Sequence, residues 1–444
     1  MIAIEQFTPE GYRQTEIGLI PADWSVLTID DLVESTAPIC YGVVQVGKYS
    51  ETGVPIVAIK YVKNINSSPL HRSPTELERL FVRSRLKGGD VLISIKGTIG
   101  RVGVVPEKFQ GNISRELARI RVKPEHLSQF VAYQLEACNT QDRIMKSVVG
   151  STRLEFSILT LRKFKIVIPS SRFEQTAIAN ALSDVDALLT ELENLIVKKQ
   201  AIKTATMQQL LTGKTRLPQF ATYTEGAIQG KNKSTKPSEL GEIPEDWDVV
   251  NLGEIINFKN GAAHEDCIDE YGDFVLVNSK FVSTEGRVRK GASECRQPAC
   301  KDDLLMVMSD VPNGKAIAKC FIVDQNNLYT VNQRICIIKP LDEMNPIFLL
   351  KVLSRNPYYL AFDDGAKQTN LRREDVLSCP LLKPSKEEQA AIATILSDMD
   401  NEIQTLEQRL TKTRQIKQGM MQQLLSGRTR LPFKKLETKQ DGGS

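Results

Sequence analysis

The feature that most constrains this chain is an internal repeat at long range. The segment MQQLLTGKTRLP at 207–218 returns as MQQLLSGRTRLP at 421–432, and the match extends without a gap from 174–218 to 388–432, an offset of 214 residues. A shorter repeat comes earlier, because GLIPADW at 18–24 returns as GEIPEDW at 241–247 with the only two tryptophans. Such a return predicts two tandem modules that share their beginning and their end.

The end of each module is predicted to be a helix of about 40 residues with a seam of apolar residues spaced alternately by four and three. A serine stands three residues before Glu174 and another before Glu388, which is the spacing of a capping box. Gly213 and Gly427 are placed to end the helices. The predicted seam residues are Ile178, Leu182, Val185, Leu189, Leu192, Ile196, Ile392, Leu396, Met399, Ile403, Leu406 and Leu410.

A helix of this length extends about 60 Å, which is too long for one small domain to cover. We therefore predict that the two helices pair as an antiparallel coiled coil with a pseudo-twofold internal repeat. The alternative is that each helix packs only on the body that precedes it. Lys199 and Lys203 in the first helix, and Thr413 and Lys417 in the second, interrupt the seam. This predicts that the second half of the seam splays or receives another subunit.

The segments between the repeats, about 25–168 and 248–383, differ in sequence and predict a body of the α+β class. Short strands with glycine-rich turns are predicted at 89–105, 271–282 and 302–309, and helices near 127–146 and 346–354. The pair Tyr41-Gly42 aligns with Asn260-Gly261. Two different bodies between near-identical ends suggest a common frame that carries two different readers.

The composition limits where the protein can be located and which bonds its cysteines can form. The chain has 444 residues, a net charge of +4, no long apolar run and an N-terminus unlike a signal peptide, so we expect a cytoplasmic protein without a membrane contact. The eight cysteines form no CxxC pair, so free thiols are expected. His264, Cys267, Cys295 and Cys300 could supply zinc ligands, but their spacing matches no zinc motif, and we predict no metal site.

No catalytic constellation is found. NPIF at 345–348 and NPYY at 356–359 lack the second proline of an adenine-methyltransferase loop and are interpreted as helix starts. TGKT at 212–215 lacks the upstream glycine of a P-loop. Basic residues cluster at 79–87 and 287–296, and amide- and arginine-rich segments occur at 150–153, 331–334 and 367–373. Such groups suit base edges and phosphates, so the chain is predicted to be a noncatalytic DNA reader.

The two openings, the EQxxIAxxLSDxD helix starts and the MQQLL-G-TRLP endings resemble the specificity subunit of type I restriction-modification systems. The resemblance covers nearly the full length. It implies that each body is a target recognition domain for one half of a bipartite site in double-stranded DNA, and that the helices set the spacer between the halves. It also implies two methyltransferase subunits, which use S-adenosylmethionine, and restriction subunits, which use ATP and Mg; this chain binds no cofactor of its own.

The resemblance divides the chain into a first recognition domain (1–168), a first spacer helix (169–218), a linker (219–240), a second recognition domain (241–383), a second spacer helix (384–432) and a flexible tail (433–444). Two alternatives are a specificity subunit of another restriction class, whose partner combines methylation and cleavage, and a coiled-coil scaffold without DNA specificity. The predicted DNA-binding residues are Tyr41, Gln45, Lys48, Lys60, Lys96, Arg115, Arg153, Lys259, Asn278, Lys280, Lys315, Asn332, Arg334, Lys367, Gln368 and Asn370.

Overall fold

The computed structural model describes residues 8–148, 154–223, 229–312 and 314–432. The chain divides into two compact units: unit 1 contains Met1–Glu193 and Gln408–Ser444, and unit 2 contains Asn194–Glu407. Each unit therefore combines one variable body with the beginning of one long helix and the end of the other. Within the described ranges no helix is long and apolar enough to cross a bilayer.

The first body mixes short strands with short helices. Its strands are β1 (Tyr12–Thr15), β2 (Gly18–Pro21), β3 (Trp24–Thr28), β4 (Cys40–Tyr41), β5 (Val54–Val57), β6 (His71–Ser73), β7 (Val91–Ser94), β8 (Val102–Val104), β9 (Asn112–Ile113), β10 (Leu117–Ile120) and β11 (Lys165–Pro169). Its helices are α1 (Thr75–Glu78), α2 (Ser128–Glu136), α3 (Cys138–Lys146) and α4 (Ile158–Lys163), and the long helix α5 (Arg172–Leu211) follows.

The second body begins after a short helix, α6 (Pro218–Ala221). Its strands are β12 (Thr235–Ser238), β13 (Gly241–Pro244), β14 (Asp248–Asn251), β15 (Ile256–Asn260), β16 (Phe274–Val277), β17 (Gly291–Ala292), β18 (Leu304–Val307), β19 (Ser309–Asp310), β20 (Cys320–Ile322), β21 (Tyr329–Val331), β22 (Ile335–Pro340), β23 (Thr369–Asn370) and β24 (Pro380–Lys383). Its helices are α7 (Ser279–Ser283), α8 (Pro346–Leu353), α9 (Pro357–Leu360) and α10 (Arg373–Leu377), followed by the long helix α11 (Lys386–Leu424).

The two bodies share one topology although their sequences differ. A four-stranded sheet has the order β4-β10-β7-β8 in the first body and β15-β22-β18-β20 in the second. A three-stranded sheet has the order β6-β5-β9 or β17-β16-β21, and in each case one neighbouring pair is parallel. The central strands β7 (VLIS) and β18 (LLMV) are buried at every position, as their largely apolar sequences predict. The α+β class is confirmed.

One sequence prediction fails inside the second body. The segment 271–282 was expected to be a strand, but β16 ends at Val277 and α7 begins at Ser279. The side chain of Asn278 accepts a hydrogen bond from the Phe281 backbone N–H at 2.9 Å, so Asn278 caps the helix. The β-branched and aromatic residues that favour a strand are also able to fill the buried side of this short helix.

The long helices end as their sequences predict. Gly213 and Gly427 follow the helices with φ of +69° and +70°, a left-handed conformation that glycine adopts without the strain caused by a Cβ atom. An ideal Cβ on Gly213 would lie 2.5 Å from Cδ of Pro244, and one on Gly427 would lie 2.3 Å from Cγ of Pro21. Each glycine is therefore required both by the backbone and by close packing against the module opening.

In unit 1 the repeated sequence segments meet at a buried carboxylate. Glu174, at the start of α5, accepts hydrogen bonds from Trp24 Nε1 at 3.3 Å and from Arg430 Nη2 at 2.9 Å. Arg430 also donates to both carboxylate oxygens of Asp23, at 2.9 and 3.0 Å. The module opening thus supplies Asp23 and Trp24 to this cluster, the start of α5 supplies Glu174, and the TRLP ending supplies Arg430.

Unit 2 repeats the arrangement with its own residues. Glu388 accepts from Trp247 Nε1 at 3.0 Å and from Arg216 Nε and Nη2 at 2.7 Å, and Arg216 also pairs with Asp246. We call each set a Trp–Glu–Arg cluster. The capping-box prediction is wrong about the role of these glutamates, because their carboxylates bind Trp and Arg side chains. The Ser385 hydroxyl does act in a cap, accepting from the Glu388 N–H at 3.3 Å.

Within each unit the two helices run antiparallel. In unit 1, Asp186 pairs with Lys417 at 2.5 Å, and Glu193 pairs with Arg414 at 2.7 Å. In unit 2, Lys199 pairs with Glu402 at 2.7 Å, and Lys203 pairs with Asp400. The predicted splaying is therefore wrong for these positions, because the lysines of the seam meet acidic residues of the other helix, and Thr413 is buried.

The predicted seam residues are all buried or half-buried. Ile178 and Leu182 belong to the core of the first body, and Ile392 and Leu396 belong to the core of the second. The beginning of each helix therefore packs on its own body as well as against the other helix. Coiled-coil pairing along the whole length, the pseudo-twofold axis and the predicted domain boundaries stay predictions.

The linker predicted at 219–240 is partly structured where the structure describes it. Thr222 forms a β-bridge with Asn232, and the Lys233 N–H donates to the Ala221 carbonyl at 2.9 Å. Lys233 also pairs with Asp246 of the Trp–Glu–Arg cluster at 2.8 Å. The predicted tail at 433–444 lies outside the described residues.

Candidate functional site

In the first body, three predicted residues meet at one end of the four-stranded sheet. Tyr41 ends β4 with half of its surface exposed (53%), and the Arg115 N–H donates to the Val43 carbonyl at 3.0 Å. Lys96 forms a β-bridge with Glu155 and an ion pair with it at 3.3 Å. Gly42 allows the close approach, because a Cβ there would lie 1.8 Å from the Ile113 carbonyl oxygen.

The second body has the corresponding arrangement with different side chains. Gly261 packs against the Asn332 carbonyl oxygen, which lies 2.0 Å from the position of an ideal Cβ. The Met308 N–H donates to the Arg334 carbonyl at 3.0 Å, and the next residue, Ser309, pairs with Asn370 between β19 and β23. We call these two surfaces the polar edges: Tyr41, Lys96, Arg115 and Glu155 in the first body, and Ser309, Asn332, Arg334, Gln368 and Asn370 in the second.

Backbone hydrogen bonds align the two polar edges residue by residue. The Ser114 N–H donates to Val57 in the first body, and the Asn332 N–H donates to Val277 in the second. Counting onward from these valines places Lys60 and Lys280 at equivalent positions, both exposed. Ile95 donates its N–H to the Glu116 carbonyl and accepts from the Phe156 N–H, and Met308 does the same with Arg334 and Leu371. The residues that follow Ile95 and Met308 are therefore equivalent, which matches Lys96 with Ser309. The residues that precede Phe156 and Leu371 are equivalent as well, which matches Glu155 with Asn370.

The other predicted residues lie in loops, on strand β15 or at the start of helix α7. Lys259 is exposed on β15, and Asn278 is half-buried because its side chain caps α7. One prediction, Arg153, falls outside the described residues. The exposed loop residues of this group are Gln45, Lys48, Lys315 and Lys367.

Sequence reasoning missed Glu155 and Ser309. Each meets its partner across a long stretch of chain, Glu155 with Lys96 and Ser309 with Asn370 and Gln368. The available signal was a polar residue directly after a buried strand in DDLLMVMS, since strand ends place such side chains at a sheet edge. It was weak, because serine is common in turns for local reasons.

The basic segments are less available to a polyanion than their charge suggests. Arg85 donates to the buried Glu78 through Nε at 2.8 Å and Nη2 at 2.6 Å. Arg296 pairs with Asp266 at 2.6 Å and with Glu294 at 2.9 Å. Both arginines are thus neutralised locally, so the clustering of positive charge in sequence overstates the field at the surface.

The Glu78–Arg85 pair makes a testable contribution to acid stability. The hydrogen bonds from Arg85 hold the pKa of Glu78 below its ordinary value, with help from Asn112 and against burial. Because the folded pKa is the lower one, the stabilisation is complete above about pH 4.5 and is lost as the pH falls through the folded value.

We expect Glu78→Gln to lower the free energy of unfolding by about 1–3 kcal/mol at neutral pH, with a difference from wild type that shrinks below about pH 4. Urea unfolding across pH measures this. Glu16→Gln, at an exposed pair with Lys165, serves as the control and should follow the wild-type profile. A Glu78→Gln difference that stays constant down to pH 3 would contradict the assignment.

Two of the four side chains considered as zinc ligands, His264 and Cys267, make other contacts. His264 is fully buried, and its two ring nitrogens bond to the Ala262 carbonyl at 2.7 Å and to the Thr330 hydroxyl at 2.6 Å. The Cys267 thiol lies against the His264 carbonyl at 3.6 Å. In the part of the chain that the structure describes, no three His, Cys, Asp or Glu side chains come together as a metal site.

Comparison with known proteins decides the family. The sequence model of the type I restriction modification DNA specificity domain matches residues 21–204 and again residues 244–417. The chain belongs to this family. The two matches coincide with the two modules, so this specificity subunit carries two recognition domains, and the resemblance drawn from the repeats is confirmed.

Curated relatives of the specificity subunit agree. It is 24% identical over 453 residues to the putative type I restriction enzyme MjaX specificity subunit of Methanocaldococcus jannaschii, with 97% of this chain and 99% of that protein covered. It is 27% identical over 183 residues to the type I restriction enzyme EcoBI specificity subunit of Escherichia coli, with 40% of this chain and 38% of that protein covered.

Solved structures share the fold of the specificity subunit. The crystal structure of the S subunit of a type I restriction-modification system from M. genitalium aligns with a TM-score of 0.55 at 18% identity, covering 90% of this chain and 96% of that chain. A chain from a study of complex assembly and conformational transition of the type I R-M system aligns with a TM-score of 0.52 at 14% identity, covering 92% and 99%.

Proposed function

We propose that each recognition domain reads one half of a bipartite site in double-stranded DNA through its polar edge. The observation that carries this is the comparison of the two edges. They are built on the same strands and the same close glycine contacts, yet equivalent positions hold different side chains, such as Lys96 in one and Ser309 in the other. A common frame with exchanged edge residues is what reading two unrelated half-sites requires.

The long helices are proposed to set the distance between the half-sites and to dock two methyltransferase subunits. Restriction subunits would then join the same assembly in the cytoplasm. On this proposal the chain is noncatalytic. S-adenosylmethionine belongs to the methyltransferase, and ATP and Mg belong to the restriction subunit. The names of the curated relatives and the assembly structure support this proposal.

Helix length provides the experiment. Inserting one heptad after Glu193 and another after Glu407 keeps the apolar seam in phase and lengthens each helix by about 10.5 Å. Because base pairs are spaced by about 3.4 Å along DNA, we expect the gap between the half-sites to grow by up to about three base pairs while both half-sites stay the same. Mapping N6-methyladenine in cells that also express the methyltransferase measures the gap.

The matched control inserts the same seven residues after Gly230, an exposed glycine with no atom within 4 Å of its ideal Cβ. This variant should keep the wild-type gap. If the helix variant methylates at its original spacing, or if both insertions change the gap equally, the helices do not set the spacer.

A further inference from the structure

Three polar side chains of the second polar edge form a closed hydrogen-bonded triangle. The Ser309 hydroxyl donates to Asn370 Oδ1 at 2.7 Å, and Gln368 Nε2 donates to the Ser309 oxygen at 2.6 Å. Gln368 Nε2 also lies 3.4 Å from Asn370 Oδ1. We call these three residues the amide triangle. Ser309 is buried, whereas both amide side chains are exposed.

The backbone holds the two amides on the same side of the strand. Ser309 and Asn370 are paired between β19 and β23, and the Leu371 N–H donates to the Met308 carbonyl at 2.8 Å. Thr369, between the two amides, is buried. Since side chains alternate along a strand, Gln368 and Asn370 both point to the exposed face.

One hydroxyl group fixes the two amides in opposite orientations. A serine hydroxyl has a single proton to donate, so it donates to one amide and accepts from the other. Here the Asn370 oxygen and the Gln368 nitrogen face Ser309. Asn370 Nδ2 also donates one N–H to the Gln368 backbone carbonyl at 3.4 Å, which leaves its second N–H and the Gln368 side-chain oxygen for a ligand. Reversing both amides would still present one acceptor beside one donor. The amide triangle therefore offers a fixed donor–acceptor pair, held before any ligand binds.

Among the edges of single bases in the major groove, an acceptor beside a donor matches only adenine. Adenine presents the N6 amino donor next to the N7 acceptor, whereas guanine presents two acceptors, cytosine one donor, and thymine one acceptor with a methyl group. We propose that the amide triangle reads an adenine in the half-site of the second recognition domain, an inference that rests on the proposed function. This adenine stays stacked in the duplex, and so it is distinct from a base that is turned out of the helix for methylation.

The first recognition domain has no counterpart of the amide triangle at the equivalent described positions. Its equivalent positions hold Lys96 and Glu155, an ion pair with both side chains nearly half exposed. A cation beside a carboxylate does not form the hydroxyl-bridged amide pair. The adenine reading is thus specific to one half-site, which gives the test an internal reference within the same molecule.

Asn370→Asp is the most direct variant. It keeps the shape and the oxygen that accepts from Ser309, but it replaces the outward donor with an acceptor. In cells that express the complete complex, we expect discrimination for adenine to fall at least about tenfold at one position of one half-site. The other half-site and the gap should not change. Ser309→Ala, which frees both amides to rotate, should relax the same position, and Ser378→Ala, an exposed serine of the same domain, should leave the motif unchanged.

A duplex containing 7-deazaadenine at that position provides the second measurement, because this base lacks only the N7 acceptor. The wild-type complex should bind it about tenfold more weakly than the natural duplex, and the Asn370→Asp complex should bind both duplexes equally. Equal binding of both duplexes by the wild type would overturn the proposal. So would an unchanged motif in Asn370→Asp and Ser309→Ala, or a G·C pair at the position that relaxes. A wild-type complex without any bipartite motif would instead remove the proposed function, and this inference with it.

Discussion

Glu388→Ala is expected to destabilise unit 2 by about 3–5 kcal/mol, because it removes one partner from a buried charge pair. Glu388 is 1% exposed, and the Arg216 side chain is 11% exposed. Without the carboxylate, Arg216 keeps its ion pair with Asp246 and its contact with the Trp247 ring, and the buried Trp247 indole N–H loses its acceptor. An unpaired donor and a half-paired cation would remain where water has little access.

Glu402→Ala is the matched control, since Glu402 is exposed and also joins the two helices of unit 2, in a pair with the half-buried Lys199. It should cost less than about 1 kcal/mol. Hydrogen exchange followed by mass spectrometry on the full chain resolves the loss by segment. We expect Glu388→Ala to raise exchange in the second body and Glu174→Ala to raise it in the first. Equal effects of Glu388→Ala and Glu402→Ala would show that the Trp–Glu–Arg cluster does not stabilise the frame.

Gly213→Ala is expected to cost about 2–5 kcal/mol. A left-handed conformation costs a non-glycine residue about 1–2 kcal/mol, and overpacking a close contact typically adds about 1–3 kcal/mol. Here the new methyl group would meet the ring of Pro244, at 2.5 Å, and the ring of Trp247, at 3.2 Å. Because Pro244 belongs to the module opening, the substitution should also weaken the attachment of the helix end to the body.

Gly419→Ala distinguishes this effect from a general response to alanine. Gly419 lies inside α11 with no atom within 4 Å of its ideal Cβ. Alanine there should stabilise the chain by about 0.5–1 kcal/mol, because it has the higher helix propensity. Urea unfolding of both variants provides the comparison. If Gly213→Ala proved as stable as Gly419→Ala, the packing of the helix end against the opening would be contradicted.

The helices and their ends could be predicted from sequence because their signals are local. The glycines at 213 and 427 and the helix starts at Pro346 and Pro357 depend on residues a few positions apart, and each is confirmed. The Trp–Glu–Arg clusters could not be predicted in this way. Glu388 meets Trp247 and Arg216 across 141 and 172 residues, and its local spacing pointed to a capping box instead.

The polar edges show the same difference between local signals, which a sequence reveals, and long-range contacts, which it does not. Lys60 and Lys280 were chosen from separate segments, and the shared topology places them at equivalent positions. Ser309 was missed although it bridges Gln368 and Asn370, both of which were predicted. Composition and motif spacing indicate which residue types suit DNA, but they do not indicate which side chains a sheet edge brings together.

A methylation map tests whether one frame holds two independent readers of DNA. This chain would be expressed with its methyltransferase in a host free of other adenine methylation, and N6-methyladenine would be mapped across the genome at single-base resolution. We expect one bipartite motif with two unrelated half-sites and a constant gap. An intact complex that methylates no defined motif, or one continuous motif, would contradict the claim.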